Sequence, residues 1–445
     1  MFVNVFKNDE NKAYQSFYYK YDTESLAKNK LCYICQNPSS EVWGFVNTFN
    51  FYTADKESYV AGGFNQKLMW KNYPVCPNCA KTLERGKEYI NKNLLFKFCT
   101  FDYYIIPELI VQKDELLTQV LKRMKRYQNF SLQEQPASLI ENTEEKILKE
   151  LSLESNNVNF NFLFFKESNS AFKILLFLQE IAPTRLKFLI ESKDIVDKRD
   201  YGYNIFEEIK TKKDFSIKFD FSFKFIREFF PNNKSDGNFD KYFLSILNNI
   251  FIGKKIPFEF LLKRFMEKIR NEFLNKDSIE QIALKSYKIV LYLDEIKILE
   301  RRIGMKSNDG DFENFFEKHS IFDDNLKKAL FLEGVLVKKL LNIQYQKKNS
   351  TPFMSRLNSL KIDEKIAKRL LPEIINKLEE YDSNYYIDIE TAIGKYMLNA
   401  DFHKYSIDEL SYYFTLGYVL EKYFYGTTGD SMQQIPLNDS KGQFE

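Results

Sequence analysis

Apolar and polar positions in the first hundred residues follow the short periods of strands. Apolar stretches predict strands at 43–53, 67–75 and 98–106. The dipeptide Gly62-Gly63 predicts a turn between the first two strands. Pro107 follows the third stretch, which therefore predicts a buried strand that ends before the proline.

The next hundred residues carry helical spacing on either side of a hairpin pattern. Periodicity predicts helices at 113–128 and 137–151. Apolar runs at 157–165 and 172–178 flank the polar sequence ESNS, which predicts a β-hairpin. Pro183 suits the first position of a helix that continues to about Asp197.

The pattern changes after the sequence PNNKSDGN, which begins at Pro231 and indicates a linker. Nearly all of 239–426 has helical period. Ser278 with Gln281, and Ser406 with Glu409, have the spacing of capping boxes. A second loop is expected at 305–311.

Two similar segments in the helical half place glycine where alanine is more favourable by about 1 kcal/mol. They are Phe331-x-x-Gly334 and Phe414-x-x-Gly417. Close approach of two helices would offset that cost. Chance similarity in a biased composition is the alternative interpretation.

Composition excludes wholesale disorder, because 44% of the 445 residues are hydrophobic and 29% are charged. Aromatic residues make up 16% of the chain, which fits either surfaces that stack on bases or a general composition bias. The net charge of +3 places any nucleic-acid surface in a local patch. No apolar run is long enough for a membrane span, and we expect a cytoplasmic protein without membrane contact.

Four of the five cysteines form two CxxC pairs, Cys32 with Cys35 and Cys76 with Cys79. Two residues between cysteines let a tight turn direct both sulfurs at one ion, and two such turns complete a four-thiolate site. Thiolates favour zinc over magnesium or calcium, so we predict one structural Zn²⁺ per chain, with an iron–sulfur cluster as the alternative. The 40 residues between the pairs exceed the usual spacing. The remaining Cys99 is expected to be a small buried apolar residue.

Together these patterns predict an α+β fold with a strand-and-helix amino-terminal half, a Cys₄ zinc-knuckle insertion and a mostly helical carboxy-terminal bundle. The expected regions are a strand-rich region at 1–110 with the zinc-knuckle domain at about 30–83, an α+β region with a hairpin at 111–230, a helical bundle at 239–426 and a flexible tail at 427–445.

Motifs of catalysis are absent from the sequence, and we predict no catalytic residue. A closed four-thiolate site has no open position at which to activate water. His319 and His403 stand in separate segments, so we expect surface or capping roles for both. The carboxylates that come closest to a pair are Asp388 with Glu390, and Asp309 with Asp311 and Glu313.

Basic residues cluster in two helical segments, where phosphate contacts and an ordinary solvated face are alternative interpretations. Lys327 and Lys328 recur eleven positions later, which is about three helical turns and aligns them with the second pair. The predicted phosphate-binding residues are Lys122, Arg123, Lys125, Arg126, Lys327, Lys328, Lys338 and Lys339.

In order along the chain, several segments resemble the large subunit of the type I-B CRISPR-associated Cascade complex, a TM1802-like family. They include CYIC at 32–35, FNFYTADKESYVAGGFN at 49–65, KNYPVCPNCAKTLERGKEYI at 71–90, FDYYIIPEL at 101–109, FLFFKESNSAFKILLFLQEIAPTRLKFL at 162–189, and the helical stretches 330–362 and 410–424. Individually, only the paired cysteine turns are specific.

The resemblance implies a non-catalytic subunit that binds crRNA and target double-stranded DNA beside other Cascade subunits. It also implies a docking surface for a separate helicase–nuclease and a carboxy-terminal bundle similar to the small subunit of the complex. Family members carry a longer stretch before the first cysteine pair, whereas 31 residues precede Cys32. We therefore expect a reduced amino-terminal domain. The alternative functions are a stand-alone zinc-ribbon interaction module and a metal-dependent nuclease.

Overall fold

The structure is a computed structural model that forms two compact units, residues 1–192 with 222–254 and residues 193–221 with 255–445. It describes residues 22–423 apart from 47, 50–64, 112–113, 133–142, 169–170, 200, 202–204, 207–208, 211–215, 218, 232–237, 302–311 and 399. The predicted turn at Gly62-Gly63, the loop at 305–311 and the tail at 427–445 lie outside the described residues. Strands in the first unit and helices in the second give the predicted α+β class.

Along the chain, the first unit begins with a hairpin and continues into a sheet covered by helices. Its elements are α1 (Asp22–Ser25), β1 (Leu26–Leu31), β2 (Pro38–Trp43), a 3₁₀ segment (Gln66–Lys71), α2 (Pro77–Asn93), β3 (Leu95–Phe98), β4 (Phe101–Leu109), α3 (Asp114–Leu132), α4 (Thr143–Ser152), β5 (Val158–Ser168), β6 (Ala171–Ile181), α5 (Pro183–Lys198, which continues into the second unit), α6 (Phe223–Phe229) and α7 (Asn238–Ile252).

Strands β3, β4, β5 and β6 form one antiparallel sheet in sequence order. On one face, Tyr103 stacks on Phe164 with ring centroids 4.9 Å apart, and Phe162 meets Phe251 of α7 at 5.4 Å. On the other face, Tyr104 stacks on Phe165 at 4.4 Å. Because both faces of the central strands carry buried rings, these strands are apolar along much of their length, and simple alternation is absent from the sequence.

Three strand predictions need correction. The chain leaves strand conformation at Trp43, where the strand 43–53 was expected to begin, and residues 47 and 50–53 of that stretch lie outside the described residues. A 3₁₀ segment occupies Gln66–Lys71, where we expected a strand, and Val75 makes only a single bridge to Trp43. The apolar stretch 98–106 is divided between β3 and β4, which turn at Cys99. Cys99 takes the left-handed conformation, with φ 54°, that such a tight turn requires.

Other elements of the first unit form as the sequence predicts. Helix α3 covers the predicted basic helix, and strands β5 and β6 form the predicted hairpin. Helix α5 begins at Pro183. The predicted helix 137–151 is observed as α4, which begins at Thr143 after residues that the structure does not describe.

Helix α7 belongs to the first unit, although the sequence pattern grouped it with the helical bundle that begins at 239. It packs against β6 and contributes Phe251 to the sheet core. The Arg185 side chain donates from Nε to the carbonyl of Phe251 at 3.0 Å and satisfies a terminal carbonyl of α7. The helical pattern continues across this point, so the sequence did not indicate the change of unit.

The second unit is mostly helical. Its elements from residue 209 onward are β7 (Ile209–Lys210), β8 (Ser216–Ile217), β9 (Ile256–Pro257), α8 (Phe258–Leu274), α9 (Glu280–Glu295), β10 (Leu299–Glu300), α10 (Glu313–Glu317), α11 (Asn325–Lys348), a 3₁₀ segment (Pro352–Leu360), α12 (Glu364–Glu380), α13 (Ile387–Met397), α14 (Ile407–Leu420) and two short 3₁₀ turns (Phe402–Lys404 and Glu421–Tyr423). Helix α11 is buried along most of its length.

Helices α11 and α14 approach each other closely at a reciprocal pair of glycines. A Cβ added to Gly334 would lie 2.0 Å from the Phe414 carbonyl oxygen, and one added to Gly417 would lie 1.7 Å from the Phe331 carbonyl oxygen. Only glycine permits this backbone contact. The close-approach interpretation of the repeated Phe-x-x-Gly segments is therefore confirmed.

The prediction of a surface or capping role was wrong for His319, which lies inside the second unit. His319 is completely buried, and its Nε2 lies 2.8 Å from the Tyr201 carbonyl oxygen. Its Nδ1 is hydrogen-bonded to the Tyr287 hydroxyl. His403 is exposed, as expected.

Both serines predicted to cap helices accept a backbone N–H at the start of their helices. Ser406 caps α14, since its hydroxyl accepts a hydrogen bond from the Glu409 N–H at 3.2 Å. Ser278 also accepts a hydrogen bond, from the Glu280 N–H at 3.4 Å, and Ile279 between them already has helical backbone angles.

Candidate metal centre

The first cysteine pair lies in the turn of the hairpin that β1 and β2 form. Leu31 is the last residue of β1 to pair, with Pro38 opposite, so residues 32–37 make the connection. The Cys32 N–H donates to the Asn37 carbonyl at 3.0 Å, and the Gln36 N–H donates to the Cys32 carbonyl at 2.9 Å. These bonds close a compact turn that presents the sulfurs of Cys32 and Cys35 on one side.

The second pair lies at the amino-terminal end of α2. Cys76 is the capping residue and Pro77 is the first helical residue, a position that suits proline because its missing N–H would have no helical partner. Cys79 follows within the first turn. The helix N-terminus carries a partial positive charge, which stabilises thiolates at this position.

Backbone hydrogen bonds hold the two cysteine pairs together. At the end of β2, the Trp43 N–H donates to the Val75 carbonyl at 3.0 Å, and the Val75 N–H donates to the Trp43 carbonyl at 2.9 Å. The Tyr33 N–H donates to the Pro74 carbonyl at 2.7 Å. The segment that leads into α2 therefore lies along the hairpin, and this contact brings together cysteine pairs that 40 residues separate in the chain.

The four sulfurs of Cys32, Cys35, Cys76 and Cys79 lie within 4.8 Å of one another. A regular tetrahedron with zinc–sulfur bonds of about 2.3 Å has edges of about 3.8 Å, so small side-chain rotations suffice to close the site around one ion. The predicted convergence of the two pairs is confirmed, and the four cysteines can hold a metal ion.

The electrostatics of the centre favour ionised sulfur at Cys32. Burial opposes ionisation of this thiol, but backbone N–H groups of Cys35, Cys76 and Ile34 outweigh that effect and lower its pKa to about 6. One of these donors, the Cys76 N–H, lies 3.3 Å from the Cys32 sulfur. Burial raises the pKa of Cys76 and Cys79. Four thiolates that share one small site would bind a soft divalent cation, which would offset half of their combined negative charge.

Among the described residues, two groups of buried side chains lie beside the sulfurs. One group of buried side chains contains Trp43, Val46, Val75 and Ala80, and another contains Val42 with two of the cysteines. Cys99 lies outside the centre and is half-buried at the turn between β3 and β4, where its N–H donates to Glu144 Oε1 at 2.9 Å.

The predicted phosphate-binding lysines of the second unit are mostly buried. Lys327 is 1% exposed and lies 2.8 Å from Asp323 Oδ1, and Lys328 lies 2.8 Å from Glu313 Oε1. Lys339 is buried 3.3 Å from Glu421 Oε1. These three ammonium groups are withdrawn from solvent and neutralised by carboxylates, so their prediction as phosphate ligands is corrected. Lys338 is half-buried over the Tyr418 ring.

The basic residues of α3 have a different environment. Lys122, Lys125 and Arg126 are exposed, and their spacing places them on one helix face. Arg123 is half-buried and forms a two-pronged ion pair with Glu154. Three of the four predicted residues in this helix are therefore accessible to a phosphate.

None of the predicted carboxylate pairs forms a recognisable acid–base site among the described residues. Glu313 is engaged by Lys328 and by the Tyr396 hydroxyl, which donates at 2.8 Å. Burial raises the pKa of Glu390, and its neighbour Asp388 is half-buried. Asp309 and Asp311 lie outside the described residues.

Sequence reasoning missed a group of exposed side chains around the first cysteine pair. Leu31, Tyr33 and Ile34 are 57%, 61% and 41% exposed. The Tyr33 ring lies 5.2 Å from Tyr73, and Lys30 lies 5.3 Å from the Trp70 ring. The sequence signal was the mixture of lysines and aromatic residues that borders each part of the cysteine motif.

Two family models match separate parts of the chain. The central domain of CRISPR-associated protein TM1802 matches residues 29–181, and its C-terminal domain matches residues 221–431. The first match includes all four cysteines of the centre. No curated protein matches the sequence closely. In the described part of the chain, no helix combines the length and apolar character needed to cross a membrane.

Proposed function

Because this chain belongs to the CRISPR-associated TM1802 family, we propose that it is the non-catalytic large subunit of a type I-B CRISPR surveillance complex. The observation that carries the proposal is the pair of family matches at 29–181 and 221–431, in chain order and around a four-cysteine centre. In this role the subunit binds a crRNA-bearing assembly and its target double-stranded DNA. It also docks a separate helicase–nuclease that cuts the DNA.

The metal that fits the centre best is a structural Zn²⁺ held by Cys32, Cys35, Cys76 and Cys79. Four thiolates fill the tetrahedral coordination of zinc and leave no position for water. Zinc would therefore fix the hairpin turn to the start of α2. The proposal assigns no chemical step to the ion.

In this proposal, the exposed cations Lys122, Lys125 and Arg126 of α3 contact nucleic-acid phosphates. Phosphate contacts supply affinity without reading sequence, which agrees with a complex in which base pairing to a guide reads the target. The buried lysines of α11 are excluded from this role because carboxylates already neutralise them.

Co-expression with the backbone subunits and crRNA of a type I-B complex tests the assignment. The chain should co-purify with the assembly, and the loaded complex should bind target duplex with an affinity that falls steeply as salt rises. Replacing Lys122, Lys125 and Arg126 with alanine should reduce the salt dependence by a slope of about 2.7, if each contacts one phosphate. The matched control is Lys365→Ala, which removes an exposed positive charge of α12 and should leave the slope unchanged.

Two outcomes favour the alternative functions instead. A folded chain that neither assembles nor binds nucleic acid would fit a stand-alone interaction module. Cleavage of labelled DNA with magnesium or manganese by the purified chain would contradict the non-catalytic assignment, especially if Asp388→Ala abolished it.

A further inference from the structure

The surface around the first cysteine pair combines aromatic rings with lysines. Tyr33 lies between the two cysteines and exposes 61% of its surface. Tyr73 packs against one side of it, with ring centroids 5.2 Å apart and planes at 53°. The remaining surface of the Tyr33 ring is open to solvent and available for stacking.

Two lysines lie near these tyrosines in the chain, since Lys30 precedes Tyr33 by three residues and Lys71 precedes Tyr73 by two. Lys30 Nζ lies 5.3 Å from the Trp70 ring centroid, and Lys71 Nζ lies 5.8 Å from it. Among the described residues, no carboxylate pairs with either lysine. The segments 26–43 and 65–75, which form this surface, contain four lysines and a single acid, Glu41. Apart from the cysteines, these two segments carry a net charge of +3, whereas a Zn²⁺ held by four thiolates would contribute −2 beside them.

Contacts within the protein hold the Tyr33 backbone in place before any nucleic acid binds. Its N–H donates to the Pro74 carbonyl at 2.7 Å, and the cysteines on both sides converge with the second pair. A ring fixed in this way loses little conformational entropy on binding, so stacking on it is not offset by the cost of ordering a loop.

We infer that this surface, which we call the knuckle face (Lys30, Tyr33, Trp70, Lys71 and Tyr73), binds single-stranded nucleic acid. A base stacks on the exposed side of Tyr33, and Lys30 and Lys71 contact the flanking phosphates. Aromatic platforms bordered by cations suit unpaired strands, because every base has a flat face and every linkage carries a negative charge. The inference rests on the proposed function, in which target DNA is opened, and names a contact for a single strand.

Fluorescence anisotropy of labelled dT and rU strands, each about 15 nucleotides long to span one binding site, tests the knuckle face on the zinc-loaded full chain. Tyr33→Ala should weaken binding roughly five- to 150-fold, the effect of losing about one stacked base. Tyr33→Phe keeps the ring and should bind like the wild type. Tyr385→Ala removes another tyrosine, which is 72% exposed, and should also have no effect. The dT and rU strands distinguish a DNA site from an RNA site.

Salt titration provides a second readout that a purely structural role would not change. The double variant Lys30→Ala, Lys71→Ala should lower the salt slope of single-strand binding by about 1.4, since each lost phosphate contact contributes about 0.7. Zinc content equal to that of the wild type shows that each variant keeps the centre intact.

Wild-type affinity in Tyr33→Ala would overturn the inference. So would loss of a protein subunit from the assembled complex while oligonucleotide binding is unchanged, because the face would then be a protein-docking surface. Failure of the proposed function looks different. In that case the chain does not co-purify with the backbone subunits, although Tyr33-dependent binding of single strands persists.

Discussion

Around the four cysteines, the part of the chain that the structure describes groups Trp43, Val46, Val75 and Ala80 in one small buried cluster. Helix α11, by contrast, is buried along most of its 24 residues and touches α14 backbone to backbone. Each buried apolar side chain contributes about 1.5–3 kcal/mol, whereas fixing each residue's backbone costs about 1–2 kcal/mol. The helical region can be stable by packing alone. We expect the cysteine region to depend on the proposed Zn²⁺.

The substitution with the largest expected effect should destabilise the cysteine region and leave the helical region folded. Cys76→Ser removes one thiolate at the helix N-terminus, so the site loses its closed coordination. Amide hydrogen exchange should show nearly complete loss of protection in β1, β2 and the first turns of α2, while α11 and α14 keep theirs. The matched control is Cys99→Ser, which lies outside the centre and should leave the hairpin protected. Uniform loss of protection across the chain in Cys76→Ser would contradict the expectation that the cysteine region unfolds while the helical region stays folded.

Breaking an internal ion pair in the second unit should have the next largest effect. Lys327→Ala removes a buried cation that lies 2.8 Å from Asp323 and 3.7 Å from Glu409, while Arg301 still pairs with Asp323, so the helical unit should be destabilised by about 3 kcal/mol. Thermal unfolding followed by hydrogen exchange in α11 measures this. Lys338→Ala, at a half-buried position of the same helix, should cost about 1 kcal/mol or less. Equal effects from both substitutions would contradict the description of Lys327 as a core residue.

The glycine contact between α11 and α14 predicts a smaller effect of the same kind. Gly417→Ala would place a methyl group against the Phe331 carbonyl and should cost about 1–3 kcal/mol of stability. Gly394→Ala is the matched control, because this exposed glycine of α13 has nothing within 4 Å of an added Cβ. It should stabilise the protein by about 0.5–1 kcal/mol. Urea unfolding that shows stabilisation by both substitutions would rule out the close contact.

The smallest effect is expected beside the metal centre. Gly86→Ala adds a methyl group to an exposed position of α2, where nothing lies within 4 Å. Helix propensity should stabilise α2 by about 0.5–1 kcal/mol without changing metal content. Slower amide exchange in α2 at unchanged zinc stoichiometry is the measurement. If amide exchange in α2 slowed only when the variant bound more zinc than the wild type, the added stability would come from the metal and not from helix propensity.

The sequence predicted the centre better than it predicted the strands around it. CxxC spacing constrains four sulfurs strongly, and the repeated Phe-x-x-Gly segments identified a real backbone contact. The strand at 67–75 was wrong because an apolar run of that length does not distinguish a strand from a 3₁₀ segment. The prediction that the lysines of α11 bind phosphate failed for a related reason. Spacing places lysines on one face but does not show whether Asp323, Glu313 and Glu421 lie against that face.

The most direct test of the account is zinc K-edge X-ray absorption of the purified full-length chain. The account predicts one zinc per chain with four sulfur neighbours at about 2.3 Å. A folded, metal-free protein, or a zinc shell with nitrogen or oxygen in place of sulfur, would contradict it.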